Sequence, residues 1–274
     1  MKRIGILALA AMVLTACSSE SEELRVKSEE LSEVTLTFSP YQMEAITRAA
    51  VSIANVVTKL DVWIYESGSE VAAVHQSTSD ADFGSVTVTL DKTKTYTIYA
   101  IGHKADGVTL SDGVISFTDD KVTHSMFYST TFSPAITTSL SCLMTRIVAD
   151  FRMEITDDIP TSAVKFRFTV NGVFDRWNVT TGATHGIDRV STINYGGTSS
   201  IFNVYAITTD AQTLHTVTVE ALDENDQEVQ TRTFADVPLR NGYKTNYRGT
   251  FFIDTPMSMS FTVNDWNEYE TVDF

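Results

Sequence analysis

The sequence predicts an all-β chain folded as two tandem antiparallel β-sandwiches. Three observations predict it. Apolar residues recur with period two in segment after segment, polar or glycine-bearing turns separate those segments, and helical periodicity is nearly absent.

The first element is not part of the fold. Lys2 and Arg3 precede an eleven-residue apolar run, Ile4 to Leu14. A membrane-spanning helix needs about 20 apolar residues, so this run reads as a signal peptide covering residues 1–16. It ends in Leu14-Thr15-Ala16-Cys17, which resembles the lipobox of bacterial lipoproteins. That resemblance implies cleavage before Cys17, a lipid on its thiol, and an anchored protein. No later apolar run reaches the roughly 18 residues of a spanning helix.

Residues 17–33 form an acidic tether. Ser18-Ser19-Glu20-Ser21-Glu22-Glu23 and the glutamates between Lys27 and Glu33 carry like charge and little apolar surface, so they stay solvated. The stretch also resembles the acidic segment that directs some Bacteroidetes lipoproteins to the outer face of the outer membrane.

The strands follow. Val34, Leu36 and Phe38 alternate with Thr35 and Thr37, and Val86, Val88 and Leu90 with Thr87 and Thr89. Leu60–Tyr65 is a strand carrying Trp63 as a core residue, and Tyr96, Ile98 and Ala100 keep the same period. The second half repeats the pattern from Ile147 to Ile155, Val164 to Val170, Val217 to Ala221 and Met257 to Val263. One wet face and one apolar face is the signature of antiparallel sheets packed face to face. Asp112-Gly113, Asn171-Gly172, Asn241-Gly242 and Asp223-Glu224-Asn225-Asp226 supply the breaks. One helical stripe, Met43, Ile46, Ala50, Ile53, Ala54 and Val57, predicts a short connecting helix. A Ser/Thr-rich stretch with Pro134 lies between Met126 and Ser141, and it places the domain boundary near residue 138. The sandwiches are then 34–138 and 139–274, each an ordinary domain size.

Composition narrows the function. The 274 residues carry a formal charge of −15, and without Lys2 and Arg3 the mature chain has 18 basic and 35 acidic residues. Such a chain has no field to recruit phosphate backbones, so nucleic acid is excluded as a partner. Two cysteines make neither a disulfide framework nor a zinc site, and Cys142 in a strand reads as a small buried residue. His75, His103, His124, His185 and His215 have no ligand spacing. Asp223–Glu228 lacks the central glycine of a calcium loop and reads as a hairpin turn. Asp157-Asp158, before Pro160, reads as a solvated turn. No nucleophile elbow or phosphate loop occurs, and no metal, cofactor or catalytic residue is expected.

Several stretches resemble one family. Leu143-Met144-Thr145-Arg146-Ile147-Val148-Ala149-Asp150-Phe151 resembles the strand that opens the second domain of fimbrillins, the subunits of Bacteroidetes type V pili. Asp236-Val237-Pro238-Leu239-Arg240-Asn241, with Thr245–Gly249 and Phe251-Phe252, resembles a late segment of the minor and anchor subunits. Phe261-Thr262-Val263-Asn264-Asp265-Trp266 resembles the C-terminal strand, and Thr47-Arg48-Ala49-Ala50 also fits. The resemblance implies transthyretin-like sandwiches and a non-enzymatic anchor-type place in a surface fimbrium. Other fimbrial subunits, the outer membrane, and host or bacterial surface ligands are then the partners.

An edge-deficient sandwich can be completed by a neighbour's extended strand. For that role Val263, Trp266, Tyr269, Val272 and Phe274 are the candidate donor residues, with Met257–Val263 a native strand and residues 264–274 the donated extension; the competing reading is a last strand that completes its own domain. In stalk subunits of the family a protease opens the groove after an arginine. Arg48 is the candidate cleavage site here, and an anchor subunit stays uncut. A surface glycan-binding lipoprotein of a nutrient-capture system is the alternative, with Trp177 as its exposed aromatic platform.

Overall fold

The computed structural model describes residues 30–41, 52–253 and 260–265. In chain order the strands are β1 (Leu31–Pro40), β2 (Lys59–Glu66), β3 (Ser69–Ser77), β4 (Ser85–Asp91), β5 (Tyr96–His103), β6 (Val108–Ser111), β7 (Val114–Phe117), β8 (Met126–Phe132) and β9 (Ser139–Arg146). There follow β10 (Ala149–Ile155), β11 (Lys165–Asn178), β12 (Gly182–Asn194), β13 (Ile201–Ala206), β14 (Thr213–Leu222), β15 (Glu228–Leu239), β16 (Tyr243–Gly249) and β17 (Ser260–Asp265). The all-β class predicted from the alternation is the class observed.

The first half is a seven-stranded sheet, in order β3-β2-β5-β8-β9-β1-β4, wrapped around one core. The inward positions of each alternation fill it: Val34, Leu36 and Phe38 from β1, Leu60, Val62 and Ile64 from β2, Ile98 and Ala100 from β5. The second half packs a four-stranded sheet, β13-β10-β16-β17, on a sheet ordered β15-β14-β11-β7-β6, with β12 paired to β11. Its core is aromatic, with Phe151, Phe166, Phe168, Phe202, Phe234 and Phe251 all buried. Phe166 and Phe202 meet with ring centres 4.3 Å apart. Such pairs add about 0.5–1.5 kcal/mol beyond the area they bury.

The halves share a sheet. The β6–β7 hairpin, turned by Asp112 and Gly113 at positive φ, leaves the first half and pairs β7 with the end of β11, Trp177 opposite Ile115. A third core cluster seals the seam, with Trp63, Ile101, Ile115 and Phe117 from one side and Ile147, Val148 and Ile207 from the other. Arg189 also crosses it, donating to the carbonyls of Asp120 at 2.8 Å and Val122 at 2.9 Å.

Four sequence expectations are modified. The part of the connecting helix that is described is a single 3₁₀ turn, Ile53–Asn55; Ile53, Val56 and Val57 are buried in the first core, and residues 42–51 lie outside the described residues. Ser139–Arg146, placed by sequence at the start of the second sandwich, runs parallel to β1 and sends Cys142 and Met144 into the first core. The Ser/Thr-rich stretch before it is therefore strand β8 and the short loop, residues 133–138, that joins it to β9 within one sheet. The strand expected from Ile147 begins instead at Ala149, because Ile147 and Val148 are both buried where the chain passes between halves. Finally, Asn171-Gly172 is a bulge inside the fourteen-residue β11, where the pairing shifts between Val170 and Val173. Gly172 adopts φ +68°, and its amide donates to Asp188 at 2.9 Å.

Candidate assembly edge and interdomain cleft

Of the residues singled out by sequence, Cys17, Arg48, Trp266, Tyr269, Val272 and Phe274 lie outside the described residues, as do Met257 and Met259. Val263 is described. It sits on β17, opposite Thr245 of β16.

The last described strand has an unusual balance of forces. β16 pairs with β10 on one edge and with β17 on the other. Among β17 side chains that are described, Ser260 and Thr262 are exposed, Val263 is 37% exposed and Asn264 is half-buried. Backbone pairing is then the main force on these positions, at roughly 0.5–1.5 kcal/mol net per hydrogen bond. At these positions an incoming strand could supply the same backbone bonds.

The chain leading toward β17 is moored. Phe251 is fully buried. The Asp157 carboxylate accepts the amides of Phe251 at 2.8 Å, Phe252 at 2.7 Å and Ile253 at 2.9 Å. Arg232 donates to the carbonyls of Phe251 and Ile253, both at 3.0 Å. The pair grips five backbone groups in three residues. Asp157-Asp158, expected to be a solvated turn, therefore contains a structural acceptor.

β1 differs from the described part of β17 in position and burial. It lies inside its sheet between β4 and β9, and Val34, Leu36 and Phe38 are buried.

At the seam of the two halves is a cleft of about 400 Å³, lined among others by Tyr41, Arg146, Trp177, Asp210, Arg240 and Tyr243. Local turn chemistry builds one wall. Asn241 is buried and its side chain clasps Thr208, accepting its amide and donating to its carbonyl, both at 2.9 Å. Gly242 turns the chain at φ +80° and donates to the Val148 carbonyl at 2.9 Å. Arg240 is thereby held with Nε on the Asp210 carbonyl at 2.7 Å and its guanidinium 4.3 Å above the Tyr243 ring. On the opposite wall Arg146 Nε donates to His124 Nε2 at 2.9 Å. Burial, with Arg146 next in effect, pushes His124 down to about 3, so it is a neutral acceptor. Trp177 is half-buried and packs on Phe127 at 5.9 Å. It is a cleft wall joined to the seam rather than the exposed platform expected.

Two polar groupings had no sequence signal. Asp61 is bonded by His75 and by His103, the latter at 2.6 Å, joining β2, β3 and β5. Asp150 is buried, and burial raises its carboxyl to about 7 despite Lys244 and Arg152 nearby. Cys142 is fully buried, and burial pushes its thiol up to about 12. No cluster of three or more His, Cys, Asp or Glu able to hold a metal occurs among the described residues. No described helix is long and apolar enough to cross a membrane.

No family model matches the sequence, and no curated protein matches it either. Solved structures do. A candidate adhesin from Bacteroides thetaiotaomicron superposes with a TM-score of 0.55 at 11% identity, over 86% of this chain and 97% of that one. A candidate cell adhesion protein from Bacteroides uniformis gives 0.54 at 13%, over 86% and 99%. The neighbours also include a fimbrial anchor protein of Porphyromonas gingivalis, at 0.49 and 10%, over 86% and 98%. The chain has the fold of the two Bacteroides proteins along nearly their whole length.

Proposed function

We propose that this chain is a cell-surface fimbrial subunit of anchor type, tethered to the outer membrane by a lipid on Cys17 and joined to its neighbours by β-strand complementation. The observation that carries the reading is β17, an edge strand paired with β16 whose described side chains are exposed or only half-buried. It continues into the aromatic segment ending in Trp266, Tyr269, Val272 and Phe274. The lipobox, the acidic tether and the fold shared with Bacteroides adhesins support the same reading. The chemistry is association, and no bond is made or broken.

Deletion of the residues after Val263 tests it. The truncated protein is expected to fold, retain its lipid and be absent from isolated fimbriae. Truncated protein found in fimbriae at the full-length level refutes donation by this segment.

A further inference from the structure

Three cations gather on the outer face of the second half, where it meets the first. Alternation turns Phe151 of β10 and Thr245 of β16 inward, where both are buried. Arg152 and Lys244 therefore share the opposite face with Asp150, which is paired in register with Lys244. Lys104, next after β5, comes from the first half. Burial is the main influence on the Asp150 carboxyl, and Lys244 and Arg152 act against it. Lys104 and Lys244 also lie close enough to act on His124, after burial and Arg146. Among the described residues, the side chains of Lys104, Arg152 and Lys244 have no hydrogen bond or ion pair. The other described arginines are each held by a carboxylate, by backbone carbonyls or by His124. Glu154, next along the face, is taken by Arg248 at 2.9 Å. That leaves the buried Asp150 against three cations. An uncompensated positive cluster in a chain of formal charge −15 selects an anion.

The chain itself supplies one at the same place. β17 runs antiparallel to β16, and its last pairs are Asn264 with Lys244 and Asp265 with Tyr243. The polypeptide thus leaves β17 beside Lys244. The residues that follow, Trp266 to Phe274, carry Glu268, Glu270 and Asp273 and no basic residue. At no more than about 3.6 Å per residue, Glu268 reaches about 11 Å from Asp265 and Asp273 about 29 Å. In an extended segment Glu268 and Glu270 fall on one side. We propose that residues 266–274 dock on their own subunit, across the outer face formed by Lys104, Arg152 and Lys244, with their carboxylates paired to those cations. Exposed pairs of this kind are individually weak, so the docked form exchanges readily and salt releases it. The contact stands on charge and position; its consequence, a donor segment parked until a neighbour takes it up, rests on the assembly reading.

The experiment is carbodiimide cross-linking of the mature full chain at micromolar concentration, in an equal mixture of unlabelled and nitrogen-15-labelled protein, with the products mapped by mass spectrometry. Lys244 or Lys104 is expected to join Glu268, Glu270 or Asp273, and each cross-link should lie within one isotope. Molar salt should cut the yield about threefold or more. Arg152→Glu should lower the Lys244 cross-link by a similar factor, at unchanged near-ultraviolet circular dichroism, and Arg152→Lys should restore most of it. Three results would overturn the proposal: no cross-link from either lysine to the segment, a yield unchanged by salt or by Arg152→Glu, or mixed-isotope cross-links at the statistical level, which would put the segment on a second copy. The readout needs no fimbriae, whereas truncation after Val263 tests donation alone, so failure of the docking and failure of the assembly reading are separately visible.

Discussion

Asp157→Ala removes the acceptor that three consecutive amides share. The bonds at 2.7–2.9 Å are to an ionised group, and such bonds contribute roughly 1.5–3 kcal/mol each. Ile253 is half exposed, so water replaces the carboxylate at its amide with little loss. The amides of Phe251 and Phe252 are in part-buried bonds, and two bonds at the lower end give a loss of about 3 kcal/mol. Urea unfolding of the mature protein measures it as a lower midpoint at unchanged slope. Hydrogen exchange then locates it, because the amides of Phe251 and Phe252 should lose protection while those of β11 and β14 follow global stability. Asp157→Asn keeps one acceptor oxygen and should cost less. A loss below about 0.5 kcal/mol in Asp157→Ala, with both amides still protected, would refute the mooring.

Two further predictions concern the N-terminus and pH. Mass spectrometry of protein isolated from cells should find a lipidated Cys17 as the first residue; a mature N-terminus at Ala49 would reject the anchor role and favour a stalk subunit. The Asp61 pair gives a signed pH dependence. Burial pushes the Asp61 carboxyl up, but hydrogen bonds from His103 and His75 outweigh it and hold it below 3.8. The bond to Asp61 raises His75 above 6.5. A lowered carboxylate stabilises above its unfolded value and fails as pH falls through its folded one. A raised histidine stabilises below its unfolded value and fails as pH rises through its folded one. The stability lost in His75→Ala should therefore be greatest between about pH 4 and 6.5 and shrink on both sides; a difference that does not change from pH 3 to 9 would refute this coupling.

Much of this architecture is legible from local sequence because period two reports which face of a strand is buried. The alternations of Val34–Phe38, Tyr96–Ala100 and Val217–Ala221 report core positions, and those positions are buried. Asp112-Gly113 and Asn241-Gly242 report turns, and both turn the chain at positive φ. What is not legible is pairing at long range. Nothing in Ser139–Arg146 states that it runs parallel to a strand about a hundred residues earlier, so the Ser/Thr-rich strand β8 and the loop after it pass for a domain linker. Nothing in Val114–Phe117 states that it completes a sheet of the other half. The cleft is hidden for the same reason, since Arg146, Trp177 and Arg240 converge only once that seam has closed. Asp157 is missed differently: the Asp-Asp-Ile-Pro sequence correctly signals a turn, and only the position of residues 251–253 makes the carboxylate structural.

The contrast between β1 and β17 bears on which strand can be exchanged. Removing β1 would expose Val34, Leu36 and Phe38, each about 1.5–3 kcal/mol of burial, or about 5–9 kcal/mol together. It would also break backbone ladders on both edges, to β4 and to β9. A loss of that size is comparable with the whole stability of a domain, so β1 cannot leave spontaneously and its removal needs a covalent cut. Arg48, beyond the C-terminal end of β1, is where such a cut would act. Among the described residues β17 has one ladder, to β16, and its described side chains stand at the surface or half-buried. Asp157 and Arg232 hold Phe251 and Ile253 upstream of it, so on the proposed reading an exchange of β17 would leave that mooring in place. A subunit that keeps β1 and offers only its C-terminal segment can extend a fibre in one direction and not the other. That polarity is what the proposed role, a membrane-tethered first subunit, would require.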